Sequence, residues 1–505
     1  MKRAPGILPV IAVQRSSRTP LHRQLYDGYR QAIVARQLRA GQRLPSTRSL
    51  AAELRISRIP VLNAFEQLLA EGYFESRVGS GTFVARDVPD DLAIPRTAGP
   101  PRRPPARSSP RLVSRHAALL RPELGPWLKG YGPFGVGQPP TDEFPIHVWS
   151  RLVARHARRQ DTTLLRYSPA MGYEPLREAV AEYLRTARGV RCEAAQIMIV
   201  GGSQQGIELS ARVLLDAGSP VWLEDPGYFG IQNALRLAGA RLVPVPVDEE
   251  GLVVSAGIAR SARARAAFVT PSHEFPLGVT MSASRRLRLL DWAQSTGAWI
   301  VEDDYDSEYR YGNLPIASLQ GLDRDSRVVY IGTFTKILFP ALRIGYVVIP
   351  PDLVPTFIAV RRAMDTFSPT FPQAVLTDFI REGHFARHVR RMRLLCGERR
   401  TALVEAIRRE LPSTLRVLGD PAGMFLTAAL SGGYRDRDIG LAAARAELKV
   451  LPLSSCALAT PAREGLVLGY GGTSREEIAE GVRRLRAVLR EQSRRASEPR
   501  AGRSR

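Results

Sequence analysis

The chain contains 505 residues, 44% of them hydrophobic, and carries a formal net charge of +23. This length and composition allow more than one globular domain with a sizeable core, and they exclude a fibrous protein. The positive excess suits a polyanionic partner, although basic linkers and termini contribute to it as well.

The cysteines and the hydropathy pattern indicate where the protein works. Cys192, Cys396 and Cys456 lie far apart and in no CxxC spacing, which suggests neither a disulfide framework nor a zinc site. The N-terminal run ILPVIAV is too short for a signal peptide, and no run approaches membrane-spanning length. We therefore expect a soluble cytoplasmic protein with no bound metal and no membrane partner.

Residues 20–85 predict three helices followed by a β-hairpin. PLHRQLYDGYRQAIVARQL is amphipathic, with its apolar residues spaced for one face. Ser46 is a good N-cap for TRSLAAELR, and Ser57 caps a third helix, RIPVLNAFEQLLAEG. YFESRV and GTFVA around GSG complete a two-stranded wing. This α+β order is that of a winged helix-turn-helix, which places its second capped helix in a major groove.

The segments LPSTRSLAAEL and VLNAFEQLLAEGYFESRVGSGTFV closely resemble the GntR-type winged helix-turn-helix in order and spacing. The resemblance implies that residues 15–86 bind double-stranded operator DNA. The residues it implies at the DNA are Arg48 and Arg58, Thr47 and Ser57 near phosphates, and Gly79 and Gly81 at the wing tip.

Side-chain chemistry extends this set of DNA contacts. Arg58 and Asn63 open the recognition helix, where side chains reach base edges, whereas Arg43 and Arg77 suit phosphates. The alternative is an ordinary solvated face on a winged helix that binds protein.

Two positions depart from the family pattern in this region. The family usually has a glycine where Arg55 stands and a polar pair where Ile59 and Pro60 stand. The resemblance alone therefore fixes neither the turn geometry nor the base contacts.

Composition changes sharply after residue 86. The segment IPRTAGPPRRPPARSSPRLVSR, residues 94–115, has six prolines, six arginines and no acidic residue, so it cannot bury enough apolar surface to fold. We expect an extended linker over residues 87–118, a larger domain over 119–490 and a basic disordered tail over 491–505.

In the larger domain, helical patterns alternate with short apolar runs. PLREAVAEYLRTARG and SRRLRLLDWAQSTG have helical periodicity, and QIMIV, PVWLED, RAAFVT, AWIVED and RVVYIG are apolar and strand-like. This alternation predicts an α/β domain with a mainly parallel sheet flanked by helices.

The stretch GTFTKILFPALRIGY, residues 332–346, sets Lys336 in a mostly apolar run with Arg343 after it. A partly desolvated, cation-rich pocket lowers the pKa of a lysine, and the neutral amine can attack an aldehyde. An arginine grips a phosphate with paired hydrogen bonds. The combination suggests a phosphorylated aldehyde, and pyridoxal 5'-phosphate is the commonest such cofactor.

Three further segments supply what this cofactor needs. AWIVEDDYDSEY is an apolar strand that ends in acids, where Asp303 could pair with the pyridine nitrogen and Tyr305 could reach the phenolic oxygen. EDPGYFG follows another strand and places Tyr228 for stacking on the ring. VGGSQQGIELSARVLL starts a helix, and the groups there that can hold the phosphate are those of Gly202, Ser203 and Gln204.

Each feature alone has an ordinary explanation. A lone lysine often packs at a core edge, GGS is often a simple turn, and His273 in PSHEFP suits a structural histidine. The acidic cluster could bind calcium, but counting from Asp304 puts Tyr309 and Pro315 where a glycine and a glutamate are needed. The joint occurrence of the features in this order favours the cofactor site.

Residues 120–490 are similar to a fold-type I aminotransferase in TPSHEFPLG, EDDYDSEYRY and GTFTKILFPALRIGY, and the fusion to a winged helix resembles the MocR subfamily of GntR-type regulators. The resemblance implies Lys336 as the aldimine lysine, Asp303 on the pyridine nitrogen and Tyr305 on the phenolic oxygen. The residues it implies at the phosphate and on the ring are Ser203, Gln204, Thr333, Arg343 and Tyr228. Tyr167 matches a tyrosine that reaches the other subunit's phosphate, which implies a head-to-tail homodimer.

Two positions depart from working aminotransferases. FPLG replaces their NPTG loop, so Phe275 stands where an asparagine helps bind the phenolic oxygen, and His273 or Tyr305 would serve instead. In GLVLGYGG, Val467 stands where an arginine commonly pairs with the substrate α-carboxylate. Both departures favour a sensor over an enzyme, with at most weak or partial transaminase activity.

The leading hypothesis is a transcriptional regulator that senses pyridoxal phosphate, an amine or an amino acid through Lys336 and binds operator DNA as a homodimer. The main alternative is a true aminotransferase with an accessory DNA-binding domain. A cofactor-free dimerisation module is a third hypothesis.

Overall fold

The computed structural model of the chain describes residues 13–17, 19–77, 79–86, 113–120, 125–159, 161–311, 317–459 and 463–497. The chain divides into two compact units, Met1–Leu112 and Val113–Arg505. Within the described segments, no helix is both long enough and apolar enough to cross a membrane.

The first unit is a winged helix-turn-helix, which confirms the prediction. Its elements are α1 Leu21–Val34, α2 Thr47–Glu53, α3 Arg58–Ala70, β1 Phe74–Arg77 and β2 Gly81–Val84. β1 and β2 pair antiparallel and form the wing. Edge-to-face contacts among Tyr29, Phe65 and Phe74, with ring centroids 5.0 to 5.5 Å apart, hold the core together.

The two helices of the helix-turn-helix begin differently. Ser46 caps α2 as expected, because its hydroxyl accepts a hydrogen bond from the Ser49 amide at 3.1 Å. Ser57 occupies the N-cap position of α3 but makes no capping hydrogen bond. A cap usually binds the amide of the second or third helical residue, and the third residue of α3 is Pro60, which has no N–H. The expected side-chain cap at Ser57 is therefore absent.

The turn after α2 keeps the geometry of a glycine turn without a glycine. Arg55 has φ +51°, a left-handed conformation that costs a non-glycine residue roughly 1–2 kcal/mol. Its amide bonds to the Ala52 carbonyl at 3.2 Å, and the Ile56 amide bonds to the Ala51 carbonyl at 3.0 Å. This pair of hydrogen bonds is a Schellman motif, in which glycine is preferred.

The second unit starts with a short helix, α4 Arg115–Ala118. Ser114 caps this helix by accepting from the Ala117 amide at 3.2 Å, and no proline lies between Pro110 and the helix. The structure thus differs from the predicted linker, which extended to residue 118. Residues 87–112 of that linker lie outside the described segments.

A mixed, mainly parallel sheet of eight strands forms the centre of the second unit and confirms the α/β prediction. Its strands are β3 Ile197–Val200, β4 Pro220–Asp225, β5 Arg241–Asp248, β6 Gly251–Leu252, β7 Ala266–Val269, β8 Trp299–Asp304, β9 Val328–Thr333 and β10 Gly345–Val348. They lie in the order β3-β10-β9-β8-β7-β4-β5-β6, and β10 and β6 run antiparallel to their neighbours. β7, β8 and β9 are buried along their whole length, as in sheets covered on both faces.

Helices pack on this sheet through apolar faces. They are α5 Ile146–Arg158, α6 Glu174–Arg188, α7 Ser203–Leu214, α8 Phe229–Leu237, α9 Val254–Ser261, α10 Ala283–Thr296, α11 Leu319–Leu322, α12 Val354–Met364 and α13 Thr370–Arg381. Leu152 of α5, Leu184 of α6 and Phe379 of α13 share one core with Ile199 of β3.

A smaller antiparallel sheet follows along the chain. The elements of this region are α14 His384–Glu410, β11 Leu415–Leu418, β12 Phe425–Leu430, α15 Asp436–Arg445, β13 Leu451–Pro452, β14 Gly465–Gly469 and α16 Arg475–Ser497. The strand order is β11-β12-β14-β13. β12 and β13 bring Phe425 and Leu451 to the site described below.

The last helix continues beyond the predicted domain end at residue 490. Ile478, Val482, Leu485 and Leu489 are buried at helical spacing, and neither glycine nor proline follows before Pro499. α16 therefore reaches Ser497, although the polar, basic composition predicted disorder from residue 491. Residues 498–505 lie outside the described segments.

Candidate functional site

One cavity collects residues from the carboxyl ends of several parallel strands. The ends of parallel strands meet at one edge of a sheet, and the loops that follow them form binding crevices there. The cavity has a volume of about 120 Å³. The predicted residues that line it are Ser203, Tyr228, Asp303, Tyr305 and Lys336. The other lining residues are Leu128, Val136, Gly137, Phe229, Phe275, Asp306, Met424, Phe425 and Leu451.

Lys336 follows β9 and presents its amine in this cavity. Its Nζ donates a hydrogen bond to the Gly137 carbonyl at 3.0 Å. Burial lowers the pKa of the amine, and Arg343 lowers it further, although Asp306 and Asp303 oppose them. The environment therefore favours the neutral amine more than water does, which suits a nucleophile.

Asp303, near the end of β8, is a buried carboxylate with an unsatisfied oxygen. It is 3% exposed, and its Oδ1 has no hydrogen-bond partner among the described residues. Burial first, and then the charge of Asp304, raise its pKa to about 8, against the opposing effect of Lys336. A positively charged N–H donor at this oxygen would satisfy it and restore its ionisation.

The pKa of the neighbouring Asp304 shifts in the opposite direction, although its Oδ1, like that of Asp303, has no hydrogen-bond partner among the described residues. Its Oδ2 accepts from Arg188 at 2.7 Å and also from Ser307 at 2.8 Å and from Tyr330. Burial opposes ionisation, but Arg188 and these hydrogen bonds outweigh it and hold the pKa of Asp304 below its usual value. Asp304 is thus a structural ion-pair partner, and Asp303 is the acid that faces the cavity.

An anion cradle lies where α7 begins. Gly202 is the N-cap of α7 with φ +103°, and a Cβ there would lie 3.2 Å from the Arg343 guanidinium. Ser203, the first residue of α7, lines the cavity. Helix N-terminal amides together with a guanidinium form a binding site for a phosphate.

Two predicted phosphate ligands make hydrogen bonds within the chain. The Gln204 side chain donates to the Gly230 carbonyl at 2.9 Å. The Thr333 hydroxyl accepts from the Thr335 amide at 3.1 Å. The hydroxyl of Thr335 is buried and has no partner within the described part of the chain, so Thr335 has the open hydrogen-bonding capacity that Thr333 was expected to offer.

His273 contacts two residues that line the cavity, Tyr305 and Phe425. Its carbonyl accepts from the Tyr305 hydroxyl at 2.8 Å, and its Nδ1 lies 3.1 Å from Asp306 Oδ2. It packs on Phe425 with ring centroids 4.6 Å apart and is not among the lining residues. The structure therefore places His273 as a partner of Tyr305, and not at the cavity surface as the cofactor prediction assumed.

Tyr167 lies away from the cavity of its own chain. It is 92% exposed, and its ring meets that of Phe367 edge-on at 5.8 Å. Such exposure leaves it accessible to a second chain, which the prediction of a shared site requires.

Three residues near the amine and the acids were missed from the sequence. A Cβ at Gly137 would lie 2.6 Å from Lys336 Nζ, and Asp306 lines the cavity beside Asp303. Asp306 and Thr335 stand within segments already singled out, EDDYDSEY and GTFTK, so their spacing from Asp303 and Thr333 was an available signal. Gly137 had only the glycine-rich run GPFGVG to mark it.

Phe275 and Val467, the two residues that depart from aminotransferases, belong to one buried apolar cluster. This cluster also contains Phe425, Leu451, Leu453 and Cys456. Val467 is fully buried and pairs with Leu451 across β13 and β14. The phenylalanine rings of residues 275 and 425 lie 5.4 Å apart in an edge-on contact.

The predicted DNA-binding residues form an exposed surface on the first unit. Arg48, Arg58 and Asn63 are exposed, and Arg58 Nε donates to the Thr47 hydroxyl at 3.2 Å, which joins α2 and α3. Ile59 is 68% exposed beside them. At the wing, Arg77 pairs with Glu75 and lies over the Phe83 ring. Arg43 lies about 3.5 Å from the position of a Cβ at Gly81. Gly79 at the wing tip and Ser57 before α3 are exposed.

The cavity meets the chemical requirements of pyridoxal phosphate. It offers an amine with a lowered pKa at Lys336 and, among the described residues, an unpartnered carboxylate oxygen at Asp303. The anion cradle of Gly202 and Arg343 adjoins it through the lining residue Ser203. The aromatic face of Tyr228 lines the same cavity. Across the described residues, no group of three His, Cys, Asp or Glu side chains is arranged to hold a metal ion.

Comparisons with known proteins match both units. Residues 131–485 match the family aminotransferase class I and II, and residues 21–84 match bacterial regulatory proteins, gntR family. The chain is 41% identical to the probable rhizopine catabolism regulatory protein MocR of Rhizobium meliloti, over 95% of this chain and 96% of that protein. It is 30% identical to the HTH-type pyridoxine biosynthesis transcriptional regulator PdxR of Corynebacterium glutamicum, over 93% and 96% of the two chains.

A solved structure extends the match for the second unit. The crystal structure of LysN, an alpha-aminoadipate aminotransferase from Thermus thermophilus, was determined with N-(5'-phosphopyridoxyl)-L-leucine. It matches with a TM-score of 0.69 and 32% identity, over 76% of this chain and 98% of that chain.

Proposed function

The chain belongs to the gntR family of bacterial regulatory proteins and to its MocR-type members with an aminotransferase class I and II domain, and on this premise we propose that it regulates transcription in response to pyridoxal phosphate chemistry. Residues 21–84 would bind operator DNA, and the cavity of the second unit would bind the cofactor and an effector. The observation that carries the proposal is the unpartnered Oδ1 of Asp303 in the same cavity as Lys336.

The residues of the cavity and of the anion cradle have distinct proposed roles toward the cofactor. Lys336 would hold the aldehyde carbon through its amine, and Asp303 would keep a proton on the pyridine nitrogen. The groups proposed at the phosphate are those of Gly202, Ser203, Arg343, Thr333 and Thr335, with Gln204 near the start of α7. Tyr228 would stack on the ring, and the Tyr305 hydroxyl would exchange its hydrogen bond to the His273 carbonyl for one to the phenolic oxygen. The chemistry that pyridoxal phosphate supplies when bound is a reactive aldehyde, for which Lys336 and an incoming amine would compete.

Regulation requires that occupation of the cavity changes the affinity for DNA. The effector proposed at this level is pyridoxal phosphate itself, an amine or an amino acid. The exposed ring of Tyr167 supports a head-to-tail homodimer in which each chain completes the other's site. Efficient aminotransferase turnover is not proposed, because Phe275 stands where an asparagine helps bind the phenolic oxygen of the cofactor and Val467 stands where an arginine pairs with the substrate α-carboxylate.

The experiment is a spectrophotometric titration of the purified full chain with pyridoxal phosphate. For the wild type we expect a visible absorption band that free cofactor lacks, and covalent attachment of the cofactor to the protein after borohydride reduction. Both signals are expected to be lost in Lys336→Ala. Lys449→Ala, which removes a lysine outside the cavity lining, is the matched control and is expected to retain them. A wild-type protein that shows neither the new absorption band nor covalent attachment with excess cofactor would contradict the proposal.

A further inference from the structure

Apart from the charged and hydroxyl-bearing side chains, the described lining of the cavity is apolar. Leu128, Val136, Phe275, Met424, Phe425 and Leu451 line it. These residues come from segments far apart in the chain. Phe275, Phe425 and Leu451 of the lining share one buried cluster with Val467, which is fully buried and is not itself among the lining residues. An asparagine at position 275 would make the lining itself more polar, and an arginine at position 467 would add a cation to the cluster that packs against it.

From this apolar lining we propose that the effector is a primary amine with an apolar carbon skeleton and no carboxylate group. The inference rests on the proposed function, because it assigns the ligand class of the same cavity. An apolar skeleton would gain free energy by leaving water against Leu128, Phe425 and Leu451. A carboxylate on the same skeleton would lose its hydration there without gaining a cation.

The charges around the cavity support the absence of a carboxylate. The lining contains two acids, Asp303 and Asp306, and one cation, Lys336. Arg343, the cation that lowers the pKa of Lys336, lies against Gly202 in the anion cradle, where the cofactor phosphate would occupy it. A ligand carboxylate against the apolar lining would therefore face acids without an arginine partner.

The same charges favour an incoming ammonium group. Asp306 is 2% exposed, and its Oδ2 contacts the Nδ1 of His273. Asp306 and Asp303 both act on the Lys336 amine. When the pyridine nitrogen pairs with Asp303, a second amine entering beside Lys336 still meets the negative charge of Asp306. An amine against the apolar lining thus has a carboxylate at its head and hydrocarbon around its body.

The test compares ligands that differ only by the carboxylate. Full-length protein saturated with pyridoxal phosphate is titrated with 2-phenylethylamine against L-phenylalanine, and with 3-methylbutylamine against L-leucine. The readouts are the dissociation constant from the absorption change and the shift of the thermal unfolding midpoint. We expect each amine to bind about ten-fold or more tightly than its amino acid and to raise the midpoint more.

Two variants test whether the apolar lining causes the preference for amines over amino acids. Phe275→Asn restores a polar group and is expected to reduce the ratio of amine affinity to amino-acid affinity. Phe275→Leu keeps the lining apolar and is expected to preserve that ratio. Equal or tighter binding of the amino acids to the wild type would overturn the inference, as would failure of both ligand classes to bind. The cofactor absorption band shows which proposal fails. If the band is absent, the proposed function is wrong as well; if the band is present, only the proposed ligand class is wrong.

Discussion

The two units of the chain use charge in opposite ways. In the winged helix, Arg48, Arg58 and Arg77 are exposed and lie on a surface. In the second unit, Asp303 and Lys336 line a cavity, and burial is the largest cause of the pKa shift of each. The first arrangement suits a long polyanion met from solution, and the second suits a small molecule that replaces the water its binding groups have lost.

The difference predicts which substitutions should change the free energy of unfolding or of binding most. An exposed arginine is solvated with or without its partner, so its removal costs only the net contact. A buried acid changes the free energy of unfolding even when nothing is bound, because its desolvation is not compensated. Buried charges in the cavity should therefore give larger effects than exposed charges at the DNA surface.

Asp303→Asn is expected to have the largest effect. It should stabilise the cofactor-free protein but weaken the binding of pyridoxal phosphate. The raised pKa of about 8 means that the cofactor-free folded state holds a proton that the unfolded state has lost. Wild-type stability should thus fall as pH rises from about 4 to about 8, and Asp303→Asn should remove this loss, worth up to about 5 kcal/mol near pH 8. The same variant should bind pyridoxal phosphate more weakly, because the ring nitrogen loses its carboxylate.

Denaturant unfolding of the cofactor-free chain across this pH range measures the first effect. Asp304→Asn is the control, since it leaves Arg188 buried without its carboxylate and should destabilise by about 3–5 kcal/mol. A destabilised Asp303→Asn protein at pH 8 would show that Asp303 is compensated in the free protein.

Gly137→Ala tests how closely the cavity fits the lysine amine. The added Cβ would lie 2.6 Å from Lys336 Nζ, at a residue with φ +75°. We expect a loss of affinity for pyridoxal phosphate of about ten- to hundred-fold, roughly 1–3 kcal/mol. Gly130→Ala is matched, because Gly130 has φ +74° and no atom within 4 Å of its Cβ; affinity in this control should remain near the wild-type value.

Arg58→Ala tests the exposed charges of the first unit. Arg58 opens α3 and is exposed beside Thr47, so its removal should weaken operator binding by about 1–3 kcal/mol and lower discrimination against unrelated DNA. Fluorescence anisotropy with operator and random duplexes measures both quantities. Arg23→Ala on α1, where Asp27 already pairs with the arginine at 3.3 Å, should change neither by much; an equal loss in both variants would argue for a nonspecific charge effect.

Arg55→Gly should give the smallest effect, and it should be favourable. Arg55 holds φ +51° in the turn between α2 and α3, so glycine should stabilise the first unit by about 1 kcal/mol. Amide hydrogen exchange of α2 and α3 in the full chain measures this change. Ala52→Gly introduces the same residue inside α2 and should destabilise by about 1 kcal/mol; slower exchange in that control would contradict the explanation by backbone conformation.

The sequence predicted most of the fold because its local patterns agree with the tertiary structure. Strand runs such as PVWLED and AWIVED are apolar along most of their length, as buried parallel strands are, and they coincide with β4 and with nearly all of β8. Asp303 could be singled out because a strand-end acid in an α/β protein points to the site. The extension of α16 to Ser497 was missed because the polar composition hid helix-forming residues.

The rest of the site depended on contacts between distant segments. Gly137 meets Lys336 only after folding, and no local pattern marks it. Whether Gln204 and Thr333 are open to a ligand depends on the Gly230 carbonyl and the Thr335 amide, which only the folded geometry shows. The missing cap at Ser57 was available from the sequence, because Pro60 at the third helical position removes the donor.

The measurement that tests the central claim most directly is the affinity of the full chain for the DNA upstream of its own gene, with and without pyridoxal phosphate. The account predicts that saturating cofactor changes the dissociation constant of the wild type, and that Lys336→Ala binds the same DNA but does not respond to the cofactor. Equal affinity of the wild type with and without cofactor, or an equal response of Lys336→Ala, would contradict it.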